Sequence, residues 1–312
     1  MKPKQIFQNG KRLGLSLRLV GYILRKLDNR SFHLPDNLKT YKHEQSSSSR
    51  SGGQPKVSIV IPTRDKASLL SRCVDSIRNN TEHSNYEILI VNNLSTEHTA
   101  LSLLDRYREY GITVLDFAEP FNYSKICNLA AAQAKGDLLC FLNNDTEVLS
   151  PNWLSSMAEH AVKSETGVVG AVLTYPEGTI QHMGIALGYT GIAGHPSRGC
   201  DATDCLPEGC YEVSGSTFAC AMISKSKFLE LGGLDEEFPV GFNDVDFCIR
   251  SSTAGYKNIL CQAARLIHTE SQTRKRTHTL SGAIRAARDT LLFLRVNRTN
   301  FEERFFSANT YE

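Results

Sequence analysis

Three oxygen-bearing side chains, Asn143, Asn144 and Asp145, directly follow an apolar run in the sequence. That run, residues 138–142, has the character of a buried strand, and such a strand often opens into a ligand site at its carboxyl end. Oxygen ligands suit a hard divalent cation, which commonly binds one or two carboxylates together with phosphate oxygens and water. The group therefore indicates a site for a divalent cation and a diphosphate, with Asp145 as its carboxylate.

Short apolar runs alternate with helical patterns around this group. Strands are predicted at 57–61, 87–91, 112–115 and 138–142, and helices at 66–79, 97–110 and 123–135. This alternation predicts an α/β fold with a mostly parallel sheet flanked by helices on both faces. Because ligands bind beyond the carboxyl ends of parallel strands, the polar residues after three of these strands are expected to share one edge of the sheet.

The pattern is less regular after Trp153, which is expected to be a core residue or part of an acceptor wall. Strands are predicted at 167–173 and 214–224, and helices at 152–163, 225–231, 244–254 and 279–296. Gln181, His182 and His195 lie in a Gly- and His-rich segment between them, which suits an acceptor-binding side.

Composition limits the class of protein. The chain has 312 residues, 41% of them hydrophobic, and a formal net charge of +2. That charge does not favour a nucleic-acid partner, and no apolar run is long enough to predict a transmembrane helix. We divide the chain into a basic amphipathic segment (1–45), a flexible Ser- and Gly-rich linker (46–55), a folded α/β domain (56–275, in halves of about 56–150 and 151–275) and a helical extension (276–312).

Residues 12–27 combine leucines at helical spacing with basic residues. An amphipathic helix of this kind can lie on an anionic membrane surface, and it can equally pack on its own domain or pair with a partner. Both interpretations stay open from the sequence.

Nine cysteines are scattered along the chain, and Cys200, Cys205 and Cys210 are evenly spaced. This spacing could form a metal knuckle or a disulfide. No fourth ligand stands at zinc spacing, so we favour plain thiols on a surface loop.

Six motifs in order make the chain similar to the family-2 glycosyltransferases of GT-A fold. The resemblance covers about residues 56–275 and is strongest to bacterial O-antigen and capsule sugar transferases, including rhamnosyltransferase-like members. The motifs are Val-Ser-Ile-Val-Ile-Pro-Thr-Arg-Asp (57–65), Ile-Val-Asn-Asn-Leu-Ser-Thr (90–96), Phe-Asn-Tyr-Ser-Lys-Ile-Cys-Asn (121–128), Phe-Leu-Asn-Asn-Asp-Thr-Glu (141–147), Val-Gly-Phe-Asn-Asp-Val-Asp-Phe-Cys-Ile-Arg (240–250) and His-Thr-Glu-Ser-Gln-Thr-Arg (268–274).

The resemblance implies a nucleotide-sugar site. Pro62, Thr63 and Asp65 match the turn that holds the pyrimidine base and ribose, although Asp65 could instead cap a helix. Asn92 stands where the family usually has Asp, and its amide oxygen can still accept a bond from the base; it could also be an ordinary turn residue.

Further donor-side residues follow from the same resemblance. Asn122 and Asn128 flank a helix start that lies over the nucleotide-sugar in the family, where Lys125 could approach the diphosphate or remain solvated. Asn144 and Asp145 match the metal motif, so that Asp145, with His268 as a further ligand, is expected to hold Mg²⁺ or Mn²⁺. A helix cap before Glu147 is the alternative for Asp145.

Asp244 occupies the acidic position that in the family deprotonates the acceptor hydroxyl, and a capping role for the helix 244–254 is its alternative. Asp246, two residues on, is expected to be structural. Attack from the face opposite the leaving group would invert the anomeric centre.

The resemblance thus implies an inverting hexosyl- or rhamnosyltransferase that moves a sugar from a UDP- or dTDP-sugar to a hydroxyl of a growing cell-surface glycan, free or lipid-linked. It would act in the cytoplasm, peripherally on the inner face of the membrane. A non-catalytic nucleotide-sugar binder or assembly partner is the alternative, motivated by Asn92 and Asn143, where carboxylates are usual.

Overall fold

The structure, a computed structural model, describes residues 40–41, 53–187, 193–205, 209–269, 290 and 293. The strands are β1 (Thr40–Tyr41), β2 (Val57–Thr63), β3 (Tyr86–Asn92), β4 (Thr113–Asp116), β5 (Leu138–Leu142), β6 (Thr146–Val148), β7 (Thr166–Thr174), β8 (Ile180–His182), β9 (Ala186–Leu187), β10 (Ala193–Gly194), β11 (Cys210–Glu212), β12 (Cys220–Ser224) and β13 (Lys257–His268). The helices are α1 (Ala67–Asn79), α2 (His98–Glu109), α3 (Tyr123–Gln133), α4 (Trp153–Ala161), α5 (Ala202–Cys205), α6 (Lys225–Glu230) and α7 (Asn243–Thr253).

The first half of the chain forms the parallel sheet that the sequence predicts. Strands lie in the order β5-β2-β3-β4, and each neighbouring pair is parallel. All five residues of β5 are buried, because helices cover both faces of this part of the sheet and an apolar run satisfies both. The α/β class is confirmed here.

The second half of the sheet is mixed. Strand β12 is antiparallel to both β5 and β7, whereas β13 is parallel to β7 and antiparallel to β11 and β6. The predicted strand 214–224 forms only from Cys220 onward. Ser216 and Thr217 instead hydrogen-bond the side chains of His182 and Cys248, so residues 214–219 cross the sheet face as an irregular segment.

Strand β13 was not predicted, although its 12 residues make it the longest strand described. Its pairing with β7 shifts between Cys261, opposite Ala171, and Arg265, opposite Val172. The Ser150 hydroxyl stabilises this bulge, since it donates to the Ala263 carbonyl and accepts from the Arg265 amide. Beyond the bulge, β13 pairs with β6 and ends at His268.

Trp153 belongs to the core, which decides between its two predicted roles. Its side chain is fully buried on α4, and its indole N–H donates to the Thr81 hydroxyl at 2.9 Å. The indole thus buries its large apolar surface and still satisfies its one polar atom.

The predictions for residues 12–27 and for most of 46–55 and 279–296 lie outside the described residues. Within the part of the chain that is described, no helix is long and apolar enough to cross a membrane.

Candidate functional site

The carboxyl ends of the parallel strands converge, as their polar residues predicted. Pro62 pairs with Val91 within the sheet, and Thr63 ends β2. The amide of Asn144 donates to the Thr63 hydroxyl at 2.9 Å. This bond joins the loop after β5 to the end of β2, so two of the predicted donor-side residues are in direct contact.

Asp145 and His268 form the centre of the site. The carboxylate Oδ1 of Asp145 lies 3.1 Å from Nε2 of His268, although the two residues are 123 positions apart in the sequence. Strand β13 delivers His268 to this point, and the Thr269 amide donates to the Asp145 carbonyl at 3.0 Å. The cap interpretation of Asp145 is wrong, because the residues that follow it form strand β6 rather than a helix.

Gln181 fixes the orientation of the His268 ring. Its side chain oxygen lies 2.6 Å from Nδ1 of His268, and its side chain nitrogen donates to the His268 carbonyl at 3.1 Å. An amide oxygen can only accept, so Nδ1 carries a proton and donates it to Gln181. The other ring nitrogen, Nε2, therefore points toward Asp145 and toward the Asn143 amide, which lies 3.3 Å away.

A carboxylate oxygen and an imidazole nitrogen that converge in this way are two electron-pair donors aimed at one point. Such a set fits a divalent cation, and the second bond of the histidine, to Gln181, is typical of metal-binding histidines. No group of three or more His, Cys, Asp or Glu side chains suited to a metal occurs among the described residues. The remaining ligands would therefore have to be water and the oxygens of a bound substrate.

Asp65 links the loops that follow β2 and β3. Its carboxylate accepts from the backbone amides of Thr96 at 2.6 Å and Glu97 at 2.9 Å, at the start of α2. The bond from the Glu97 amide, and then the bond from the Thr96 amide, lower the pKa of Asp65. Asp65 therefore holds the chain just before α2 and does not cap α1, whose N-cap is Lys66 and has no side-chain cap bond. The backbone of Asp65 adopts a positive φ of 54°.

Asn92 is buried and held on both sides. Its Nδ2 donates to Asp116 at 2.8 Å, and its Oδ1 accepts from the Ser95 amide at 3.2 Å. Asp116 also pairs with Arg108 at 2.9 Å. A carboxylate at position 92 would face the Asp116 carboxylate without this bond, so Asn92 and Asp116 form a complementary pair. No local sequence pattern connects these two residues.

Asn122 and Asn128 attach α3 to the turn before α7. Asn122 caps α3, since its Oδ1 accepts from the Lys125 amide, while Asn128 exchanges two bonds of 2.9 Å with the backbone of Leu234. Lys125 pairs with Glu119 at 2.7 Å. All three residues thus have partners within the protein.

Asp244 lies in the first turn of α7 and is half-buried. The capping alternative is wrong, because the helix begins at Asn243 and the preceding Phe242 is its N-cap. Asp246 is buried and pairs with Arg250 at 2.8 Å, which is a structural ion pair.

The segment 214–219 connects α7 to the Asp145 loop. Its Ser216 amide donates to Cys248, one turn along α7 from Asp244, and its Ala219 carbonyl accepts from the Asn143 amide at 3.0 Å. One short segment therefore spans the two carboxylates that the sequence singled out.

The three residues that the sequence singled out in the Gly- and His-rich segment, Gln181, His182 and His195, lie in two environments. Gln181 faces His268, as described, whereas His182 lies on the segment 214–219: its Nε2 accepts from the amides of Gly184 and Thr217. Its proton therefore sits on Nδ1, 2.8 Å from Nδ1 of His195. Burial is the main cause that depresses the pKa of His182 far below its usual value, and the nearby His195 and His268 lower this pKa further.

Comparison with known proteins decides the family. Residues 58–232, more than half of the chain, match the family model described as Glycosyl transferase family 2. The chain belongs to glycosyl transferase family 2. O-antigen biosynthesis protein RfbC of Myxococcus xanthus is 40% identical to this family-2 chain over 228 residues, which are 72% of the chain but only 18% of RfbC.

Two solved glycosyltransferases share the fold of this family-2 chain. GalNAc-T7, solved with UDP, GalNAc and Mn²⁺, superposes with a TM-score of 0.60 at 19% identity over 69% of this chain and 44% of its own. The mannosyltransferase PcManGT of Pyrobaculum calidifontis, solved with GDP-Man and Mn²⁺, gives 0.54 at 15% identity over 87% and 69%. The expected GT-A fold is thereby confirmed.

Proposed function

We propose that this chain is an inverting glycosyltransferase that moves a hexose or 6-deoxyhexose of the rhamnose type from a UDP- or dTDP-sugar to a hydroxyl of a growing glycan. The Asp145–His268 pair, at the ends of the parallel strands, carries this proposal. Family membership and the O-antigen relative support sugar transfer to a cell-surface glycan.

Asp145 and His268 would hold Mg²⁺ or Mn²⁺, and the Mn²⁺ in both structural neighbours supports a divalent ion. When bound, the ion supplies Lewis-acid stabilisation of the charge that develops on the leaving nucleoside diphosphate. Thr63 and Asn144 face the same edge and would position the ribose and phosphates. Asp65 and Asn92, whose polar atoms already have protein partners, would shape the base pocket mainly by fixing its loops.

Asp244 would act as the general base. It lies across the segment 214–219 from the Asp145 loop, so an acceptor hydroxyl bound between them can lose its proton to the carboxylate as its oxygen attacks the anomeric carbon. Attack from the side away from the diphosphate inverts the configuration at that carbon.

The test is donor-dependent release of nucleoside diphosphate in the presence of Mn²⁺ or Mg²⁺ and a glycan acceptor. Asp244→Asn should reduce kcat by about 10²–10⁴-fold, because it removes the base and keeps the shape. Asp75→Asn, at an exposed aspartate of α1, is the matched control and should leave the rate unchanged. Near-normal turnover of Asp244→Asn would refute the assignment of the base.

A non-catalytic nucleotide-sugar binder is the second candidate, because the amide of Asn92 is already engaged by Asp116 and Ser95. Binding of a nucleotide-sugar without turnover across a broad panel of acceptors would favour it.

For the enzyme, we place the site of action at the cytoplasmic face of the membrane, with residues 12–27 as the peripheral contact. Deletion of these residues should abolish binding of the protein to anionic vesicles.

A further inference from the structure

Two cysteines face each other across strands remote from the Asp145–His268 pair. Cys210 of β11 lies directly opposite Cys261 of β13 in an antiparallel pair. The neighbouring pair is hydrogen-bonded, since the Gln262 amide donates to the Gly209 carbonyl. Pairs alternate along antiparallel strands, so Cys210 and Cys261 occupy a position without backbone bonds, where the Cα atoms are only about 4.5 Å apart. That separation is within the range that a disulfide bridges.

A histidine is in place to activate one of the two thiols. Nε2 of His160 lies 3.1 Å from the sulfur of Cys210. His160 lies in the last turn of α4, within hydrogen-bond distance of this thiol. Proton transfer from Cys210 to His160 would give a thiolate beside an imidazolium, which is a common arrangement for reactive cysteines.

The two sulfurs differ in access and in charge. Cys210 is partly exposed, whereas Cys261 is buried. The pKa of Cys210 is lowered to about 5, chiefly by the hydrogen bond from Cys261 and also by His160, although burial opposes this shift. The same hydrogen bond, together with burial, raises the pKa of Cys261. The more accessible sulfur, which also lies beside His160, is thus the better placed of the two to react as a thiolate.

We propose that Cys210 and Cys261 are an oxidation site at which a peroxide converts the Cys210 thiolate into a reversible disulfide with Cys261. The thiolate attacks one oxygen of the peroxide, the O–O bond breaks, hydroxide leaves, and Cys210 becomes a sulfenic acid. The Cys261 sulfur then attacks the Cys210 sulfur; the S–S bond forms, the S–O bond breaks, and the departing hydroxide takes the Cys261 proton as water. A dithiol reductant restores both thiols.

Thiol labelling of the full chain tests the first part of this proposal. The protein is treated with iodoacetamide at neutral pH, and the labelled peptides are quantified by mass spectrometry. Cys200 is the reference, because it is also partly exposed and does not share the His160 contact of Cys210. Cys210 should react about tenfold faster than Cys200. His160→Gln should slow Cys210 to the rate of Cys200. Equal rates for the two cysteines in the unaltered protein would overturn the proposal.

Peroxide treatment tests the second part. Hydrogen peroxide should yield a Cys210–Cys261 linked peptide that dithiothreitol removes. Cys261→Ser keeps the shape of the side chain and removes the second thiol. It should stop the reaction at a Cys210 sulfenic acid that a dimedone probe traps. This test does not use His160→Gln, so it remains valid if that variant does not fold. Oxidation of Cys210 to a sulfinic acid in the unaltered protein, with no linked peptide, would refute the pairing.

Discussion

The orientation of a single imidazole decides what the centre of the site can bind. His268 has one nitrogen committed to Gln181, and its other nitrogen lies 3.1 Å from the Asp145 carboxylate. Gln181 therefore fixes the orientation of the ring. In the proposed function, it would hold Nε2 where a bound cation can use it.

Gln181→Met removes that hydrogen bond and keeps the volume of the side chain. We expect Mn²⁺ affinity to fall by about 10–100-fold, the usual effect of losing a bond that orients a metal-binding histidine. A titration of Mn²⁺ measured by calorimetry checks this. Gln133→Met, at an exposed residue near the end of α3, is the control; equal Mn²⁺ affinity in both variants would contradict the role of Gln181.

His182 makes stability depend on pH, because its folded-state pKa is depressed, first by burial and then by His195 and His268. As pH falls below about 6.5, the unfolded chain gains a proton at His182 while the folded chain does not. The contribution of neutral His182 to stability is therefore fully present above this pH. Below it, the free energy of unfolding falls by about 1.4 kcal/mol per pH unit.

Denaturant unfolding between pH 7 and pH 5 should therefore show a smaller loss of stability for His182→Gln than for the unaltered protein. His98→Gln, at an exposed histidine of α2, serves as the control and should retain the original pH dependence. The same slope in His182→Gln as in His98→Gln would mean that His182 does not stay neutral in the folded state.

At the scale of the elements, the close contact between strand β7 and the segment 214–219 requires a glycine in β7. A Cβ built on Gly170 would lie 1.8 Å from the hydroxyl and 2.4 Å from the Cβ of Ser216. Only glycine at this position of β7 lets Ser216 lie against the strand, where it can also bond His182 at 2.9 Å.

Gly170→Ala should lower the free energy of unfolding by about 1–3 kcal/mol through overpacking. Adding Ser216→Gly removes both clashing atoms, so the double variant should be more stable than the sum of the single effects predicts. Gly53→Ala, where a Cβ meets nothing within 4 Å, is the control. Additive effects in urea unfolding would show that the two positions do not touch.

Elements differed in how well the sequence predicted them, for physical reasons. Strand β5 agrees to the residue, because a fully buried parallel strand is a continuous apolar run with polar ends. Strand β13 escaped prediction because a bulge interrupts its alternation and Gln262, Ala263 and Ala264 resemble helical sequence. The missing strand also concealed how His268 reaches Asp145.

At the scale of the whole molecule, the site assembles from segments that are far apart in the chain, and this limits what sequence can reveal. The motif 143–145 was recognisable because its residues are consecutive. The bonds of Gln181 to His268, Asn92 to Asp116 and Asp65 to the start of α2 join separate loops, and no local pattern encodes them. The residue types were predictable, whereas their partners required the fold.

Binding of donor and cation should stabilise the whole domain, since both join ends of the same sheet. At a ligand concentration of about 100 times Kd, the gain is about 2.7 kcal/mol, or a rise in Tm of about 5–10 °C for a domain of this size. A thermal-shift screen should show this rise for UDP- or dTDP-sugars with Mn²⁺. Asp145→Asn should abolish the part that depends on Mn²⁺, and an undiminished shift in that variant would exclude Asp145 as a ligand.

The bulge in β13 has a consequence for how this chain can vary. Side chains alternate along a strand, so a one-residue insertion or deletion between Cys261 and Arg265 would turn His268 to the opposite face and away from Asp145. The length of segment 262–264 is therefore more constrained than the side chains of Gln262 and Ala263, whereas Ala264 is fully buried in the core and can accept few substitutions. Relatives that keep a histidine at the site should preserve the spacing from this bulge even where Gln262 and Ala263 are replaced.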